Sequence, residues 1–326
     1  MDYLRFHWQR LVNLWTSMFP SAPKWGFDEM PDLTGRVAVV TGGNAGIGKV
    51  MCRELLAHGA RVYMLCRSPS KAESAIAELK LVTGKSAIHT IACDLSSLPS
   101  VLSAARELLD QEKQVHLLFC NAGLFMCPRE EVTVLGHDMS FGVNVLAHAY
   151  LVKLLLPTMD RTAETSPERT VRVVITSSSA ANLAPKNGID YRVLKDSPER
   201  TRRYDSYLSY FQSKWANVAY THALCTHHPL ASHGVVFVSN DPGYIKTQIW
   251  DWQDPVRRWL RSLVLYDTEH GALTPLYAGT AEGVRHGGCY TPWAREGRSR
   301  GDTDSPELQE KLWEWVEGEL EAQPEI

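Results

Sequence analysis

A tyrosine and a lysine stand four residues apart in a stretch that predicts a helix. Tyr210 and Lys214 would share one helical face, with the ammonium close to the phenol. A tyrosine hydroxyl has an unperturbed pKa near 10, so it is a poor acid–base catalyst at neutral pH unless a nearby cation favours its anion. The run Ser177-Ser178-Ser179 precedes this pair. Such spacing often arises by chance, so it indicates acid–base chemistry only when other motifs accompany it.

A glycine-rich turn supplies the second motif. Thr41-Gly42-Gly43-Asn44-Ala45-Gly46-Ile47-Gly48 follows an apolar β-branched run and precedes a helix-forming segment. Glycine allows a sharp turn and a close approach to a pyrophosphate, and the amides at a helix N-terminus complement its negative charge. The turn therefore predicts a dinucleotide site that includes Thr41, Gly42, Asn44, Gly46, Ile47 and Gly48.

The choice of dinucleotide depends on the end of the second predicted strand. An acidic residue there would bind the adenosine ribose of NAD, but the sequence has Cys66-Arg67. An arginine suits a 2′-phosphate, and Lys49 beside the glycine turn adds a second cation. The pattern favours NADP(H), with NAD(H) possible if Arg67 is an ordinary solvated residue.

These motifs lie in an alternation of short β-branched runs and longer amphipathic stretches. Runs such as Val37-Ala38-Val39-Val40 are almost continuously apolar, which is typical of parallel strands buried on both faces. The pattern predicts an α/β fold with one doubly wound parallel sheet in three α/β/α layers. Predicted strands are 36–41, 61–66, 87–93, 115–120, 171–177 and 235–240, and predicted helices are 46–58, 70–83, 98–113, 133–160, 205–228 and 268–281. The polar segment 185–205 predicts an inserted loop.

Composition excludes several classes of protein. Of 326 residues, 44% are hydrophobic and 22% charged, which is not the composition of a disordered tail, a collagen-like repeat or a coiled coil. The 34 basic and 37 acidic side chains are interspersed and leave a net charge of −3, which argues against a nucleic-acid partner. Seven cysteines without a CxxC pair indicate a reduced compartment and no metal site. Polar residues interrupt the apolar windows, so no transmembrane helix is expected.

Residues 1–30 form an N-terminal extension, and residues 31–326 a single catalytic domain. Arg5 and Arg10 interrupt the apolar character that a cleavable signal peptide requires. The extension is typical of a short interfacial helix on a membrane surface, although an arm packed on its own domain or on a partner subunit is the alternative. The residues that would share its apolar face are Leu4, Trp8, Leu11, Val12 and Trp15.

Taken in order, the motifs resemble those of the short-chain dehydrogenase/reductase family, over about residues 33–295. The family has a Rossmann fold and transfers hydride between a nicotinamide cofactor and a carbonyl or alcohol. The matching pieces in this sequence are Thr41–Gly48, Asp94, Asn121-Ala122-Gly123, Asn144, Ser178, Tyr210, Lys214, Pro242-Gly243 and Thr247.

The resemblance implies catalytic roles for four of these residues. Tyr210 would be the general acid in reduction and the base in oxidation, and Lys214 would lower its pKa and bond the nicotinamide ribose. Ser178 would donate a hydrogen bond to the reacting oxygen, with Ser177 and Ser179 as alternatives. Asn144, in the helix predicted to begin near Thr133, would organise a water-linked proton path to the lysine.

The resemblance also implies further contacts with the cofactor. Asp94 and the adjoining Leu95 would lie beside the adenine, and Thr247 would bond the carboxamide. The floor and rim of the cleft would be formed by Asn121, Ala122, Gly123, Pro242 and Gly243. Two positions depart from relatives with this pattern, because Asp241 stands where histidine is frequent and Cys120 where asparagine is frequent.

Within the family, the sequence resembles the retinol-dehydrogenase-like and WW-domain-oxidoreductase-like branch, and its C-terminal part resembles fungal members. The stretches that carry this resemblance include Gly188-Ile189-Asp190-Tyr191 and Tyr210–Asn217. The resemblance implies a lipophilic substrate, such as a retinoid, a sterol or a long-chain aldehyde or ketone. A ketoreductase of specialised, polyketide-type metabolism is the alternative, and a non-catalytic nucleotide-binding scaffold is a remote one. An apolar lid is predicted near 244–265, with a packed helix whose tryptophans lie in the core, or a dimer surface, as the alternatives. The residues of this segment are Tyr244, Ile249, Trp250, Trp252, Trp259, Leu260 and Leu263.

Relatives on lipid droplets or the endoplasmic reticulum offer an analogy for the N-terminal extension. The protein is accordingly expected on the cytoplasmic side, peripheral on one of these surfaces through residues 1–25, with a soluble cytoplasmic location as the alternative. Deletion of residues 1–25 is expected to release it while leaving turnover of soluble substrates largely intact. A homo-oligomer is possible through the predicted helices 133–160 and 205–228.

Overall fold

Eight strands form one sheet in the computed structural model, which describes residues 2–167, 169–247, 265–321 and 323–324. Their order is β3-β2-β1-β4-β5-β6-β7-β8, with the first seven parallel and β8 antiparallel. This confirms the predicted doubly wound α/β fold. The strands are β1 (Val37–Thr41), β2 (Arg61–Cys66), β3 (Ile88–Ala92), β4 (Leu117–Cys120), β5 (Arg172–Thr176), β6 (Val236–Asn240), β7 (Cys289–Thr291) and β8 (Arg295–Gly297).

Helices cover both faces of the sheet. The described helices are α1 (Asp2–Met18), α2 (Gly46–Ala57), α3 (Pro69–Thr83), α4 (Leu98–Gln111), α5 (Met139–Thr165), α6 (Pro198–Arg203), α7 (Ser206–His227), α8 (Leu230–His233), α9 (Thr268–Thr280) and α10 (Pro306–Leu320). Within α5, residues Gly142–Leu146 are π-helical. Short 3₁₀ turns lie at Phe27–Glu29, Ser179–Leu183, Tyr191–Val193 and Gly301–Asp304.

The continuous apolar runs form strands that feed two separate cores. Successive side chains of a strand point to opposite faces. In β1, Val37 and Val39 pack in one core and Ala38 and Val40 in the other. All five residues of β5 are buried, including Arg172, which donates to the carbonyl oxygen of Ala278 at 3.2 Å.

The order of the strands places the chemistry at one edge of the sheet. The chain crosses from β3 over β2 and β1 to β4, so the strand order reverses between β1 and β4. Ligands of open α/β sheets bind beyond the carboxyl ends of the strands at such a reversal. The glycine turn follows β1, Ser177 follows β5 and Asp241 follows β6, so three distant segments of the chain meet there.

The prediction of a helix from residue 133 was wrong at its start. The chain forms a turn there, in which Gly136 N donates to Thr133 O at 2.8 Å and His137 N to Thr133 Oγ1 at 3.0 Å. The helix begins at Met139, and Asp138 caps it by accepting from Phe141 N at 2.9 Å. A local side-chain bond to the backbone thus replaces the first helical turn.

The predicted loop 185–205 is also more ordered than expected. It contains the 3₁₀ turn Tyr191–Val193 and the helix α6. Arg200 of α6 is 2% exposed and forms an ion pair with the buried Asp138 at 3.3 Å. The segment 185–205 is therefore fixed to the start of α5 by the buried ion pair between Arg200 and Asp138.

One helical stretch, 139–165, is long and apolar enough to cross a membrane by length and composition. Its most apolar window is 89% buried inside the protein. It packs against α4 and contributes Leu151 and Leu155 to a core. In this fold it is therefore a core helix.

The N-terminal extension is joined to the rest of the protein. It forms α1, and beyond that helix Trp25 and Met30 are buried in the same core as Val40. Trp8, Leu11 and Trp15 of α1 and Phe19 just beyond its end are exposed, by 69%, 62%, 66% and 48%. An apolar stripe is thus exposed along α1, while the chain that follows this helix is anchored in the core by Trp25 and Met30.

Candidate active site

Helix α7 carries the predicted tyrosine and lysine on its inner side. Asp205 starts this helix by accepting from Tyr207 N and Leu208 N, both at 2.9 Å. Ser209 Oγ donates to Asp138 Oδ1 at 2.5 Å, which ties the first turn of α7 to the start of α5. These bonds fix the rotation of α7 about its axis, and that rotation decides where Tyr210 and Lys214 point.

The Tyr210 phenol lies among aromatic and polar groups. Its ring packs edge to face against Phe125 at a centroid distance of 4.6 Å, and the Ser178 side chain lies near its hydroxyl. Burial raises the pKa of Tyr210 well above its usual value of 10, the Ser178 hydroxyl opposes the rise, and the nearby Asp241 and Tyr244 add to it. The phenol is therefore protonated at neutral pH.

Lys214 is 3% exposed and makes a defined contact. Its Nζ donates to the carbonyl oxygen of Thr176 at 2.9 Å and lies 5.6 Å from the centroid of the Tyr210 ring. Burial lowers the pKa of Lys214 to about 8, and the charge of Asp241 opposes this shift. The net effect on Tyr210 is a raised pKa and not the fall expected beside this lysine, because desolvation of the phenol dominates and the opposing effect comes from Ser178.

The three serines after β5 have different environments. Ser177 is buried, and its Oγ donates to the carbonyl oxygen of Lys214 at 2.6 Å. Ser179 is buried as well, whereas Ser178 is partly exposed, accepts from Ala180 N at 3.2 Å and is the one near enough to the Tyr210 hydroxyl to affect its pKa. Of the three alternatives, the geometry favours Ser178 as the catalytic serine.

Asn144 connects three segments behind the tyrosine. It lies in the π-helical part of α5, where its Oδ1 accepts from Leu124 N at 2.8 Å. Its Nδ2 donates to Leu124 O and to Ser213 Oγ, each at 3.0 Å. A side chain at Gly123 would meet Asn144 Oδ1 at 3.3 Å and Lys214 Nζ at 3.4 Å, so the glycine allows the two groups to lie close together.

The glycine turn has the features of a pyrophosphate cradle. Gly42 and Gly46 have φ values of +69° and +54°, and a Cβ at Gly48 would lie 2.4 Å from Gly42 O. Ala45, the N-cap of α2, offers no side-chain cap, and the first turn of the helix contains no acidic residue. Its N–H groups and positive dipole end are thus available to an anion, which fits a dinucleotide.

Thr41 joins this turn to the predicted floor of the cleft. Its Oγ1 accepts from Asn121 N at 2.9 Å and from Ala122 N at 3.0 Å. Asn121 Nδ2 donates back to Thr41 O at 3.0 Å. Across the turn, a Cβ at Gly46 would lie 3.5 Å from Thr247 Cγ2, so the loop after β6 borders the same cradle.

The residues predicted for the adenine end lie at the carboxyl ends of β2 and β3. Arg67 is exposed, and Lys49 Nζ pairs with Glu78 Oε2 of α3 at 2.5 Å. Asp94 Oδ1 accepts from Ser96 N at 2.9 Å and Ser96 Oγ at 2.8 Å, and Leu95 beside it is half-buried. Asp94 therefore has a structural role of its own in the turn before α4, whose N-cap is Ser97.

Asp241 is a residue of the site that the sequence noted only as a departure. It is 6% exposed and precedes Pro242-Gly243. Its Oδ1 accepts from Gly243 N at 3.0 Å and its Oδ2 from Ser17 Oγ at 2.6 Å. Sequence reasoning missed Ser17 as a partner because the two residues are far apart in the chain and no motif connects them.

Two further features noted in the sequence are Cys120 and the predicted lid near 244–265. Cys120 is buried at the end of β4, where burial raises the pKa of its thiol far above the usual value. Most of the predicted lid lies outside the described residues, namely Ile249, Trp250, Trp252, Trp259, Leu260 and Leu263. In the part of the chain that is described, no group of three or more histidine, cysteine or acidic side chains could hold a metal ion.

Comparisons with known proteins agree with this geometry. A family model described as short chain dehydrogenase matches residues 36–195. A short-chain dehydrogenase/reductase of Armillaria gallica is 41% identical over 310 residues, which cover 94% of this chain and 97% of that protein. Retinol dehydrogenase 11 of Homo sapiens is 32% identical over 296 residues, covering 86% and 85%. An uncharacterized protein from Mycobacterium paratuberculosis has a solved structure that matches with a TM-score of 0.69 and 28% identity, covering 90% of this chain and 96% of that one.

The chain therefore belongs to the short-chain dehydrogenase/reductase family of oxidoreductases. Its similarity to retinol dehydrogenases places it in the retinol-dehydrogenase-like branch. Both the family and the branch suggested by the motifs are confirmed.

Proposed function

We propose that the protein is an NADP(H)-dependent oxidoreductase that interconverts a lipophilic carbonyl compound and its alcohol. The observation that carries the proposal is the arrangement around Tyr210: the Ser178 side chain lies near its hydroxyl, and the Lys214 ammonium is buried one helical turn away against Thr176 O. The α2 N-terminus lies at the same edge of the sheet and suits a pyrophosphate.

In the direction of reduction, Tyr210 gives its hydroxyl proton to the carbonyl oxygen as that oxygen gains negative charge. A bound dihydronicotinamide supplies the hydride that adds to the carbonyl carbon. Ser178 donates a hydrogen bond to the same oxygen, which stabilises its developing charge. The raised pKa of Tyr210 keeps the phenol protonated before the step, and this is the form that reduction needs.

Lys214 then stabilises the phenolate that remains. The pKa of Lys214 is lowered to about 8, so its amine is protonated at neutral pH. A cation near the phenolate lowers the free energy of that anion most effectively where water is excluded. Asn144 holds Ser213 and the Leu124 backbone in place behind the pair. In this proposal it also helps to organise the water-linked route by which a proton returns to Tyr210.

The first prediction concerns Tyr210. Tyr210→Phe should lower turnover of NADPH with a reactive carbonyl by about 10²- to 10⁴-fold, because the phenol is the proton donor, while NADPH still binds. NADPH oxidation is followed over retinaldehyde, long-chain aldehydes, steroid ketones and small polar ketones. We expect turnover to be confined to the bulky apolar carbonyls.

Tyr220→Phe is the matched control for this experiment. Tyr220 is a buried tyrosine of the same helix, and its ring stacks on Trp313. It should keep wild-type turnover. Equal activity of Tyr210→Phe and the wild type would refute the catalytic role, and turnover of small polar ketones alone would favour the ketoreductase of specialised metabolism.

The preference for NADP(H) is supported by charge at the end of β2. Arg67 is exposed at the position where the adenosine ribose of a dinucleotide is read. Lys49 is close by but is paired with Glu78, so Arg67 is the cation more available to a 2′-phosphate.

The second prediction follows from this arrangement. Arg67→Asp should reduce the ratio of NADPH to NADH affinity by about tenfold or more, because it removes a charge-assisted hydrogen bond and adds repulsion. Binding is measured by cofactor fluorescence. Lys85→Asp makes the same change of charge beyond the far end of α3 and should leave the ratio unchanged. Equal weakening of both cofactors by Arg67→Asp would show that this residue does not read the phosphate.

A peripheral location on a lipid surface, such as a lipid droplet or the endoplasmic reticulum, is part of the proposal. Trp8, Leu11 and Trp15 of α1, continued by Phe19 just beyond the helix, form an exposed apolar stripe, and tryptophan suits the boundary between lipid and water. Such a position would bring a lipophilic substrate close to the active site.

The third prediction tests this stripe. Trp8→Ser combined with Trp15→Ser should lower flotation with phosphatidylcholine liposomes by about tenfold, because apolar area is lost from the contact with lipid. Leu81→Ser combined with Val82→Ser is the control, since these residues of α3 are 85% and 65% exposed. A similar loss of flotation in both double variants, or in neither, would contradict a specific role of α1.

A further inference from the structure

The side of α1 opposite to its exposed stripe reaches the candidate active site. Asn13 and Ser17 lie four residues apart and therefore share one helical face. Ser17 is 3% exposed, and its Oγ donates to Asp241 Oδ2 at 2.6 Å. Asn13 Nδ2 donates to Asn182 Oδ1 at 3.0 Å.

Both partners of α1 touch the turn that carries Ser178. Asn182 lies in the 3₁₀ turn Ser179–Leu183, and its Nδ2 donates to Ser179 O at 2.9 Å. The Asp241 carboxylate accepts from Gly243 N at 3.0 Å, and the Ser179 amide lies near enough to favour its charged form. One carboxylate thus connects α1, the serine turn and the loop that borders the cofactor cradle.

Asp241 also acts on the reacting groups through its charge. It favours the cationic form of Lys214 and the protonated form of Tyr210. A buried carboxylate keeps a fixed orientation only if its oxygens are hydrogen-bonded, and Ser17 donates the hydrogen bond to Oδ2 of Asp241. Without the Ser17 hydroxyl, one oxygen of this carboxylate loses its donor.

We infer that α1 is a working part of the active site, in which Ser17 acts as a positioning residue through Asp241. The Ser17 hydroxyl orients the Asp241 carboxylate. This carboxylate in turn keeps the turn after Ser178 and the Pro242-Gly243 loop in position beside the reacting groups. This inference rests on the proposed reductase function. It also replaces the expectation that residues 1–25 can be deleted without loss of turnover, because the deletion removes both Asn13 and Ser17.

The fourth prediction compares two hydroxyl deletions on the same helix. Ser17→Ala should lower kcat about tenfold with KM for the carbonyl unchanged within about twofold, because the reacting groups are misplaced while the pocket remains. Thr16→Ala is the control, since Thr16 is exposed and, among the residues that the structure describes, its Oγ1 bonds to Val12 O and Asn13 O of its own helix. It should match the wild type.

Asp241→Asn completes a double-mutant cycle. If Ser17 acts through this carboxylate, adding Ser17→Ala to Asp241→Asn should lower kcat by less than twofold, against about tenfold in the wild-type background. Full additivity of the two losses would overturn the inference, as would equal effects of Ser17→Ala and Thr16→Ala.

Amide hydrogen exchange of the peptide covering residues 179–183 gives a readout that does not depend on turnover. Ser17→Ala should speed exchange there by about tenfold, and Thr16→Ala should not. Unchanged exchange in Ser17→Ala would refute the positioning role. A wild-type protein without reductase activity would refute the proposed function alone, because the exchange measurement still decides whether Ser17 holds the turn.

Discussion

The rest of this site depends on one constraint, which is the burial of the Lys214 ammonium beside the Tyr210 phenol. A buried cation costs free energy unless polar groups surround it, and here the Thr176 carbonyl accepts a hydrogen bond from it and the Asp241 carboxylate lies nearby. The same exclusion of water raises the pKa of Tyr210 and lowers that of Lys214. The arrangement thus keeps an acid protonated and a cation charged side by side at neutral pH.

The sheet makes this arrangement possible. The ends of β5 and β6 bring Thr176 and Asp241 next to each other, since Thr176 pairs with Asn240 in the register of the two strands. The π-helical segment of α5 presents Asn144 to the Leu124 backbone and to Ser213. Each of these contacts joins segments that are distant in sequence, so the site is a product of the topology and not of any one motif.

Much of the framework could be predicted from the sequence because it depends on patterns among residues that are close together in the chain. Continuous apolar runs such as Val37–Val40 mark strands buried on both faces, and the glycine turn marks the start of α2. The unpredicted parts depend on contacts over long distances or on very short elements. β7 and β8 have three residues each, too few for a periodic pattern. The bond from Ser17 to Asp241 crosses most of the chain, and the turn at Thr133 replaces helix through side-chain bonds that periodicity does not reveal.

The most direct test of the buried Lys214–Tyr210 pair is the pH dependence of kcat/KM for carbonyl reduction between pH 6 and 10. The pKa of Lys214 is lowered to about 8, whereas that of Tyr210 is raised and that of the neighbouring His148 is lowered to about 4. Because the cationic lysine is the active form, kcat/KM should be level below pH 8 and fall about tenfold per unit above it. A profile that stays level to pH 10 would contradict a desolvated lysine at the centre of the site.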